Sequence, residues 1–112
     1  MTPWDAFFDE KIKIIAKQKR ILDVGGAEPF QKGLKQYKKL FKKTKFITTD
    51  FNYIYHPSIT ADIHHLPIKP NTVDGLICKA VLEHVYNPFM VVDEMYRVAR
   101  PGAPILLYVP FL

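Results

Sequence analysis

The segment Arg20–Phe30 constrains the fold of this chain more strongly than any other. It begins with the apolar run Arg20–Val24, interrupted only by Asp23, and continues into Gly25-Gly26. Such a run predicts a buried β-strand, and the two glycines allow a tight turn that a ligand can approach closely. Ligands of open α/β sheets bind at the carboxyl ends of the strands. We therefore predict a small-molecule site in this turn, where the Asp23 carboxylate favours cationic or hydroxyl groups over a pyrophosphate.

Helices and strands alternate along the chain. Capping residues or a helical spacing of apolar residues predict helices that begin at Thr2-Pro3, near Phe30 and at Asn87-Pro88. Further strands are predicted at Lys45–Asp50, Ser58–Asp62, Thr72–Cys78 and Pro104–Pro110. Because strands alternate with helices, right-handed crossovers and a parallel sheet are expected.

Each predicted helix has one apolar stripe that is expected to be buried. The stripe residues are, in chain order, Trp4, Phe8, Ile12 and Ile15; Phe30, Leu34, Tyr37 and Leu40/Phe41; and Phe89, Val92, Met95/Tyr96 and Val98/Ala99. Lysines from Lys32 to Lys43 occupy the other faces of the second helix and are expected to be solvated.

The composition favours one globular domain, residues 1–112. The hydrophobic fraction is 48%, yet no apolar run approaches the roughly 20 residues of a membrane span. Charged residues interrupt the N-terminal segment, so no signal peptide is predicted. The single cysteine, Cys78, allows no internal disulfide, which fits a reducing, cytoplasmic setting. The net charge of +5 arises from lysine runs on predicted helix faces, so no nucleic-acid partner is expected.

Short motifs follow the glycine turn in a fixed order. They are Asp23-Val24-Gly25-Gly26-Ala27, Leu66-Pro67-Ile68, Thr72-Val73-Asp74, Leu82-Glu83-His84-Val85 and Arg97-Val98-Ala99-Arg100-Pro101-Gly102. In order and spacing they resemble the D-x-G-x-G, L-P-F, S-F-D, L-E-H-V and R-V-L-K-P-G-G motifs of class I S-adenosylmethionine-dependent methyltransferases, in the type 11-like branch. The match runs from about Arg20 to Phe111. Ala27 and Pro29 replace glycines of the family pattern, which we expect to lower cofactor affinity.

The resemblance implies a Rossmann-like three-layer α/β sandwich. Five mainly parallel strands in the order 3-2-1-4-5 would carry helices on both faces. Family members continue past the fifth strand with a helix and two more strands, so we expect the chain to be C-terminally short. The last strand would then expose a hydrophobic edge, which a homodimer partner or another protein is expected to cover.

The resemblance also implies that S-adenosyl-L-methionine is the cofactor. Asp50 would accept hydrogen bonds from both ribose hydroxyls, because a carboxylate accepts two at once. Phe51 and Asn52 would flank the adenine. Asp62 would accept a hydrogen bond from the adenine amino group, and Ile63 would pack on the ring.

The same resemblance implies where the methionine part lies. Gly25-Gly26-Ala27 would line it through backbone atoms. Asp23 would support the turn and face the methionine amino group, although a purely structural cap of the turn is an equal alternative. Cys78 and Lys79 would border the sulfonium and the methyl acceptor through main-chain atoms.

Histidines provide the remaining candidates for chemistry. His64 and His65 are adjacent, so their side chains would point apart in an extended chain, and no further ligand lies at a metal-binding spacing. We therefore predict no metal site and interpret both as surface residues. His84, beside Glu83, is the candidate catalytic residue, as a general base near the acceptor. The alternative is that this segment is a structural helix start close to the cofactor.

The predicted function is methyl transfer to a small-molecule acceptor, which yields S-adenosylhomocysteine. The Asn/Asp-Pro-Pro-Tyr signature of many amino-group methylases is absent after the fourth strand, where Cys78-Lys79-Ala80-Val81 stands. This favours an oxygen or carbon acceptor, such as a sugar or another metabolite. The alternative is a truncated, non-catalytic module that binds a partner or the cofactor without turnover. A nicotinamide-dependent oxidoreductase is disfavoured because Gly25–Phe30 lacks the G-x-G-x-x-G pattern.

Overall fold

The computed structural model describes residues 2–31 and 33–110. Lys32 of the predicted second helix and the end of the motif match at Phe111 lie outside the described residues. The main elements are α1 (Pro3–Ile15), β1 (Arg20–Val24), β2 (Lys45–Asp50), β3 (Ile59–Thr60), β4 (Gly75–Lys79), α2 (Pro88–Val98) and β5 (Ile105–Tyr108). Short 3₁₀ helices occur at Lys35–Phe41, Tyr53–Tyr55 and Leu82–His84.

The strands form one parallel sheet in the predicted order, β3-β2-β1-β4-β5. β1 is the central strand, and its Leu22 pairs with Ile47 of β2 and with Leu76 of β4. β1 and its neighbour β4 are buried, which explains why their sequences are almost continuously apolar.

Helices cover both faces of this sheet, which confirms the three-layer prediction. On one face, Ile12 and Ile15 of α1 share a core cluster with Ile21 of β1 and Ile77 of β4. On the other face, α2 packs its buried side chains against the second set of strand residues: Val91, Met95 and Val98 against Leu22, Val24, Leu76 and Cys78. Successive apolar residues of β1 and β4 therefore pack against helices on opposite faces of the sheet.

Both α-helices begin where their capping residues predict. The Asp5 amide donates to Thr2 Oγ1 (3.1 Å) while the Thr2 amide donates to Asp5 Oδ2 (3.2 Å), a reciprocal capping box. At α2, the Met90 amide donates to Asn87 Oδ1 (3.2 Å), and Pro88 follows where no helical amide bond is lost.

The predicted second amphipathic α-helix is wrong. Within residues 25–31 and 33–44, turns follow β1 and the only helix is the 3₁₀ helix Lys35–Phe41. Phe30 (φ 60°) and Gly33 (φ 82°) adopt left-handed backbone angles, which an α-helix cannot accommodate. The apolar positions Leu34 and Tyr37 are nevertheless buried, so the prediction identified the core side chains but not the backbone conformation.

Two predicted stripes are partly wrong. Trp4 is exposed, whereas Phe8, one turn further along α1, is the first residue of the stripe that is buried. Phe89 and Val92 of α2 are exposed because the buried stripe runs instead through Val91, Met95 and Val98.

Three strands differ in their bounds from the prediction, and one of them, β5, spans Ile105–Tyr108 instead of Pro104–Pro110. β3 is restricted to Ile59–Thr60, so Asp62 lies in the following loop instead of closing the strand. β4 spans Gly75–Lys79; just before it, Asp74 Oδ2 accepts a hydrogen bond from the Arg20 amide (3.0 Å), and Val73 forms an isolated bridge with Ala99.

An ion pair on α2 anchors the loop that leads to β4. Glu94 Oε1 accepts from the Leu66 amide (2.8 Å), and Arg97 donates to the carbonyl oxygens of Leu66 and Ile68 (both 2.8 Å). Arg97 also hydrogen-bonds Glu94 directly, and this contact, more than the Leu66 amide, lowers the pKa of the Glu94 carboxyl although burial opposes the shift.

We expect Glu94→Gln to lower the free energy of unfolding at pH 7 by about 1.5–3 kcal/mol, because a charged hydrogen-bond acceptor is lost. The folded-state pKa lies below the ordinary value of 4.5, so this stabilisation is complete above that pH and disappears as the pH falls through the folded-state value. Urea denaturation of the wild type and of Glu94→Gln between pH 7 and pH 2.5 measures the difference in their free energies of unfolding. Glu10→Gln, at an exposed site, is the control. A difference in free energy of unfolding that stays constant with pH would contradict the prediction.

Candidate functional site

A crevice of about 600 Å³ opens at the carboxyl ends of the central strands. It is bounded by the turn after β1, the end of β2 and the loops that follow β3 and β4. Of the residues predicted to form the site, those that line it are Gly25, Ala27, Asp50, Phe51, Asn52, Asp62, Ile63 and His84. The structure therefore brings together most of the predicted cofactor contacts.

The turn after β1 requires its glycines. Gly25 has a φ of 68°, and an added Cβ would lie 2.8 Å from Cγ1 of Val81. A Cβ on Gly26 would overlap the carboxylate of Asp23, which is only 2% exposed. The Asp23 carboxylate therefore lies directly against the turn at Gly26, and neither residue lines the crevice.

Two alanines at the crevice have left-handed backbone angles. Ala27, after β1, and Ala80, after β4, both have a φ of 57°, and both line the crevice. This region is unfavourable for residues with a Cβ, and such strain concentrates at functional sites.

Asp50 holds the loops on both sides of the crevice. Its Oδ2 accepts a hydrogen bond from the Ala27 amide (3.1 Å), and its Oδ1 accepts one from the Asn52 amide (2.9 Å). Each carboxylate oxygen has about two acceptor positions. Both oxygens consequently keep capacity for a second donor, which fits a pair of vicinal hydroxyl groups.

Asp62 reaches the crevice from the loop after β3. The amide of His64 donates to Asp62 Oδ1 (2.9 Å), and Nδ1 of the same histidine lies 2.7 Å from that oxygen. These two contacts, the backbone one first, lower the pKa of the Asp62 carboxyl. Asp62 is therefore an anionic hydrogen-bond acceptor at neutral pH.

His64 is buried, so its interpretation as a surface residue is wrong. It is 5% exposed, and its ring stacks on Tyr86 with the ring centroids 3.8 Å apart. The partner comes from the segment before α2, which the loop after β3 meets only in the folded chain. His65 is exposed, as predicted.

The last two predicted cofactor residues, Cys78 and Lys79, do not line the crevice. Cys78 is fully buried in the core under α2. Nζ of Lys79 lies over the rings of Phe8 (4.9 Å) and Tyr108 (5.3 Å), and burial lowers the pKa of its amine. This side chain belongs to a second pocket of about 370 Å³, which Trp4 and further residues of α1 also line.

His84 lies at the mouth of the crevice in the 3₁₀ helix Leu82–His84. Its side chain is 79% exposed, and its Nε2 is 4.0 Å from Oε2 of Glu83. This geometry is compatible with both sequence interpretations, a general base and a structural helix start.

Sequence analysis missed several crevice residues, namely Tyr55, His64, Ala80, Val81, Val85 and Tyr86. Ala80 and Val81 follow β4 directly, so the rule that ligands bind beyond strand ends could have identified them. Tyr55, His64 and Tyr86 have no local signal, because they reach the crevice through loop packing.

The topology and the site together define a class. The chain order reverses between β1 and β4, and the crevice lies at this switch point, as in Rossmann-like nucleotide-binding folds. Within this class of folds, the chain belongs to the Methyltransferase domain family, whose model matches residues 8–107. This confirms the resemblance that the sequence motifs indicated.

Individual proteins agree with this assignment. An uncharacterized protein of Methanocaldococcus jannaschii, MJ0638, is 34% identical, with 56% of this chain and 34% of that protein covered. The PH0226 protein of Pyrococcus horikoshii superposes with a TM-score of 0.72 at 19% identity, over 96% of this chain and 53% of its own. The trans-methyltransferase CalH, solved in complex with SAH, has a TM-score of 0.64 at 14% identity, over 86% and 34%.

The structural similarities at this low identity establish the fold, and the family model establishes the family. The chain spans about a third of the curated relative and about a third to a half of these two structures. Within residues 2–31 and 33–110, no helix combines the length and the apolar character needed to cross a bilayer.

Proposed function

We propose that this chain uses S-adenosyl-L-methionine to methylate a small-molecule acceptor at oxygen or carbon. The observation that carries the proposal is Asp50, whose two carboxylate oxygens face the crevice loops and each retain an acceptor position. The family supports methyl transfer in general. The acceptor type is inferred from the residues that follow β4, which lack an amino-group methylase signature.

The crevice residues fit each part of this cofactor. Asp50 binds the ribose hydroxyls, and Asp62 accepts from the adenine amino group, with Ile63 against the ring. Gly25 and Ala27 present backbone atoms to the methionine part, and the missing side chain at Gly25 lets it approach. The crevice volume of about 600 Å³ lies within the usual range for cofactor sites.

The reaction requires mainly alignment. When bound, the cofactor supplies a methyl group that its sulfonium already makes electrophilic, so positioning provides much of the catalysis. His84 is the proposed general base for a hydroxyl acceptor. Of the two histidines that line the described crevice, it is the exposed one, whereas both ring nitrogens of His64 already have partners.

The second pocket is the proposed acceptor site. Lys79 ends β4 and Tyr108 ends β5, so this pocket also opens at the carboxyl side of the sheet. Trp4 offers an aromatic surface, and the carboxylates of Asp5 and Asp9 offer hydrogen-bond acceptors. This combination suits a hydroxyl-bearing ring compound such as a sugar.

Calorimetric titration with S-adenosylhomocysteine tests the proposal, with NADH as the control ligand. We expect micromolar binding of the first and none of the second, followed by methyl transfer to members of a panel of sugars and phenols. If the folded protein did not bind S-adenosylhomocysteine, the proposal would be wrong. Binding without product from any acceptor would instead support the alternative, a module that binds the cofactor without turnover.

A further inference from the structure

We propose that His64 is a positioning residue that makes the crevice selective for adenine over bases that lack an amino group at the same position. The inference rests on the proposed function, because it takes Asp62 as the acceptor for that amino group. Neither the motif pattern nor the strand-end rule points to His64, since its partners are assembled by the loops around it.

The hydrogen bonds of His64 define its tautomer. The amide of Asn87 lies 3.3 Å from Nε2, and a backbone amide can only donate. Nε2 is therefore the acceptor, and the ring hydrogen of the neutral imidazole lies on Nδ1. Nδ1 consequently donates to Asp62 Oδ1 at 2.7 Å.

Packing prevents the ring from turning. The His64 ring stacks on Tyr86 with an interplanar angle of 16°, and almost none of its surface is exposed. Contacts on two ring nitrogens and one ring face leave a single orientation. The position of Nδ1, and with it the position of the Asp62 carboxylate, is thus fixed before a ligand binds.

The carboxylate is held through one oxygen alone. Both contacts from His64 go to Oδ1 of Asp62, and no described residue donates to Oδ2. The Asp62 side chain lines the crevice and is 52% exposed. Oδ2 is therefore an oriented acceptor for a ligand.

An oriented, anionic acceptor discriminates between bases. An amino group donates to Oδ2, whereas a carbonyl oxygen at the same place presents lone pairs to a negative charge. A polar group that is built to pair with one substituent rejects an analogue that lacks it. Without the His64 side chain, only the backbone amide at this position would still hold Oδ1 of Asp62 (2.9 Å), and the distinction would weaken.

The test compares two ligands, S-adenosylhomocysteine and its inosine analogue, in which a carbonyl replaces the amino group. Calorimetry gives both dissociation constants for the wild type, His64→Leu, His64→Asn and the exposed control His65→Asn. We expect the wild type to prefer the adenosine ligand by about 10- to 100-fold, the range for one hydrogen bond to a charged group. His64→Leu is expected to lose most of this preference while its affinity for the inosine ligand changes little.

His64→Asn keeps the inference testable if the leucine variant fails to fold. Its amide NH₂ lies near the position of Nδ1, so it is expected to retain part of the preference, and His65→Asn is expected to retain all of it. Equal weakening of both ligands in the His64 variants would indicate a merely structural role and overturn the inference. So would a wild type that binds both ligands equally, although the proposed function would then stand. Binding of neither ligand by the wild type would overturn both proposals.

Discussion

Asp50→Ala is expected to weaken binding of S-adenosylhomocysteine by at least about 100-fold, because hydrogen bonds from two ligand hydroxyls to a charged acceptor are lost. The effect has a second component. Asp50 also holds the amides of Ala27 and Asn52, so the alanine variant releases both loops that bound the crevice. We expect this substitution to have the largest effect on binding of any single change in the chain.

Asp50→Asn and Asp93→Ala separate these contributions. The amide of the asparagine variant has one acceptor oxygen instead of two, so we expect intermediate affinity. Asp93 is exposed on α2, and its removal changes the net charge equally without touching the crevice. Calorimetry on folded protein, verified by circular dichroism, decides the outcome. Unchanged affinity in Asp50→Ala would show that the nucleoside does not lie where we place it.

Gly26→Ala is expected to reduce the free energy of unfolding by about 1–3 kcal/mol, the usual range for overpacking. The new Cβ would overlap the Asp23 carboxylate, which is buried and has little space to retreat. Because the displaced turn forms one side of the crevice, cofactor binding is expected to fall as well. Urea denaturation and calorimetry measure the two effects.

A double-mutant cycle identifies the cause. In an Asp23→Ala background the obstructing carboxylate is gone, so Gly26→Ala is expected to cost much less than in the wild type. Gly75→Ala is the matched control, because its Cβ would come no closer than 3.3 Å to the flexible Gln18 side chain and 3.5 Å to Cγ2 of Ile15, which is ordinary contact. If the cost of Gly26→Ala were the same in both backgrounds, the contact between turn and carboxylate would not explain it.

The edge of the sheet at β5 remains a separate proposal. Ile105, Leu107 and Val109 expose apolar surface there, and within residues 33–110 no strand pairs with the outer edge of β5. We propose that a second copy or another partner covers this edge. Sedimentation of the chain, compared with a Leu107→Lys variant, reports whether self-association uses it.

The sequence alone determined the bounds of two strands of the sheet and the acid that closes one of them. Arg20–Val24 and Lys45–Asp50 match β1 and β2 residue for residue, because a buried parallel strand has a nearly continuous apolar or β-branched pattern, which ends at the glycines after Val24 in β1 and at Asp50 in β2. The same pattern placed Asp50 at the end of β2, and the resemblance to the methyltransferase family predicted its role in the site. The location of a site at the ends of strands can therefore be predicted from the sequence alone.

Only the tertiary structure decided the local backbone around the turns and the second layer of the site. The segment after β1 has the apolar spacing of an α-helix, yet the left-handed angles of Phe30 and Gly33 break it. The polar side chain of His64 is typical of a surface residue. It is nevertheless buried, because it stacks on Tyr86 and accepts a hydrogen bond from the Asn87 amide, both more than twenty residues later in the sequence. Periodicity reports which side chains are apolar, whereas the partners of a buried polar group depend on which loops meet in space, and that information is not local in the sequence.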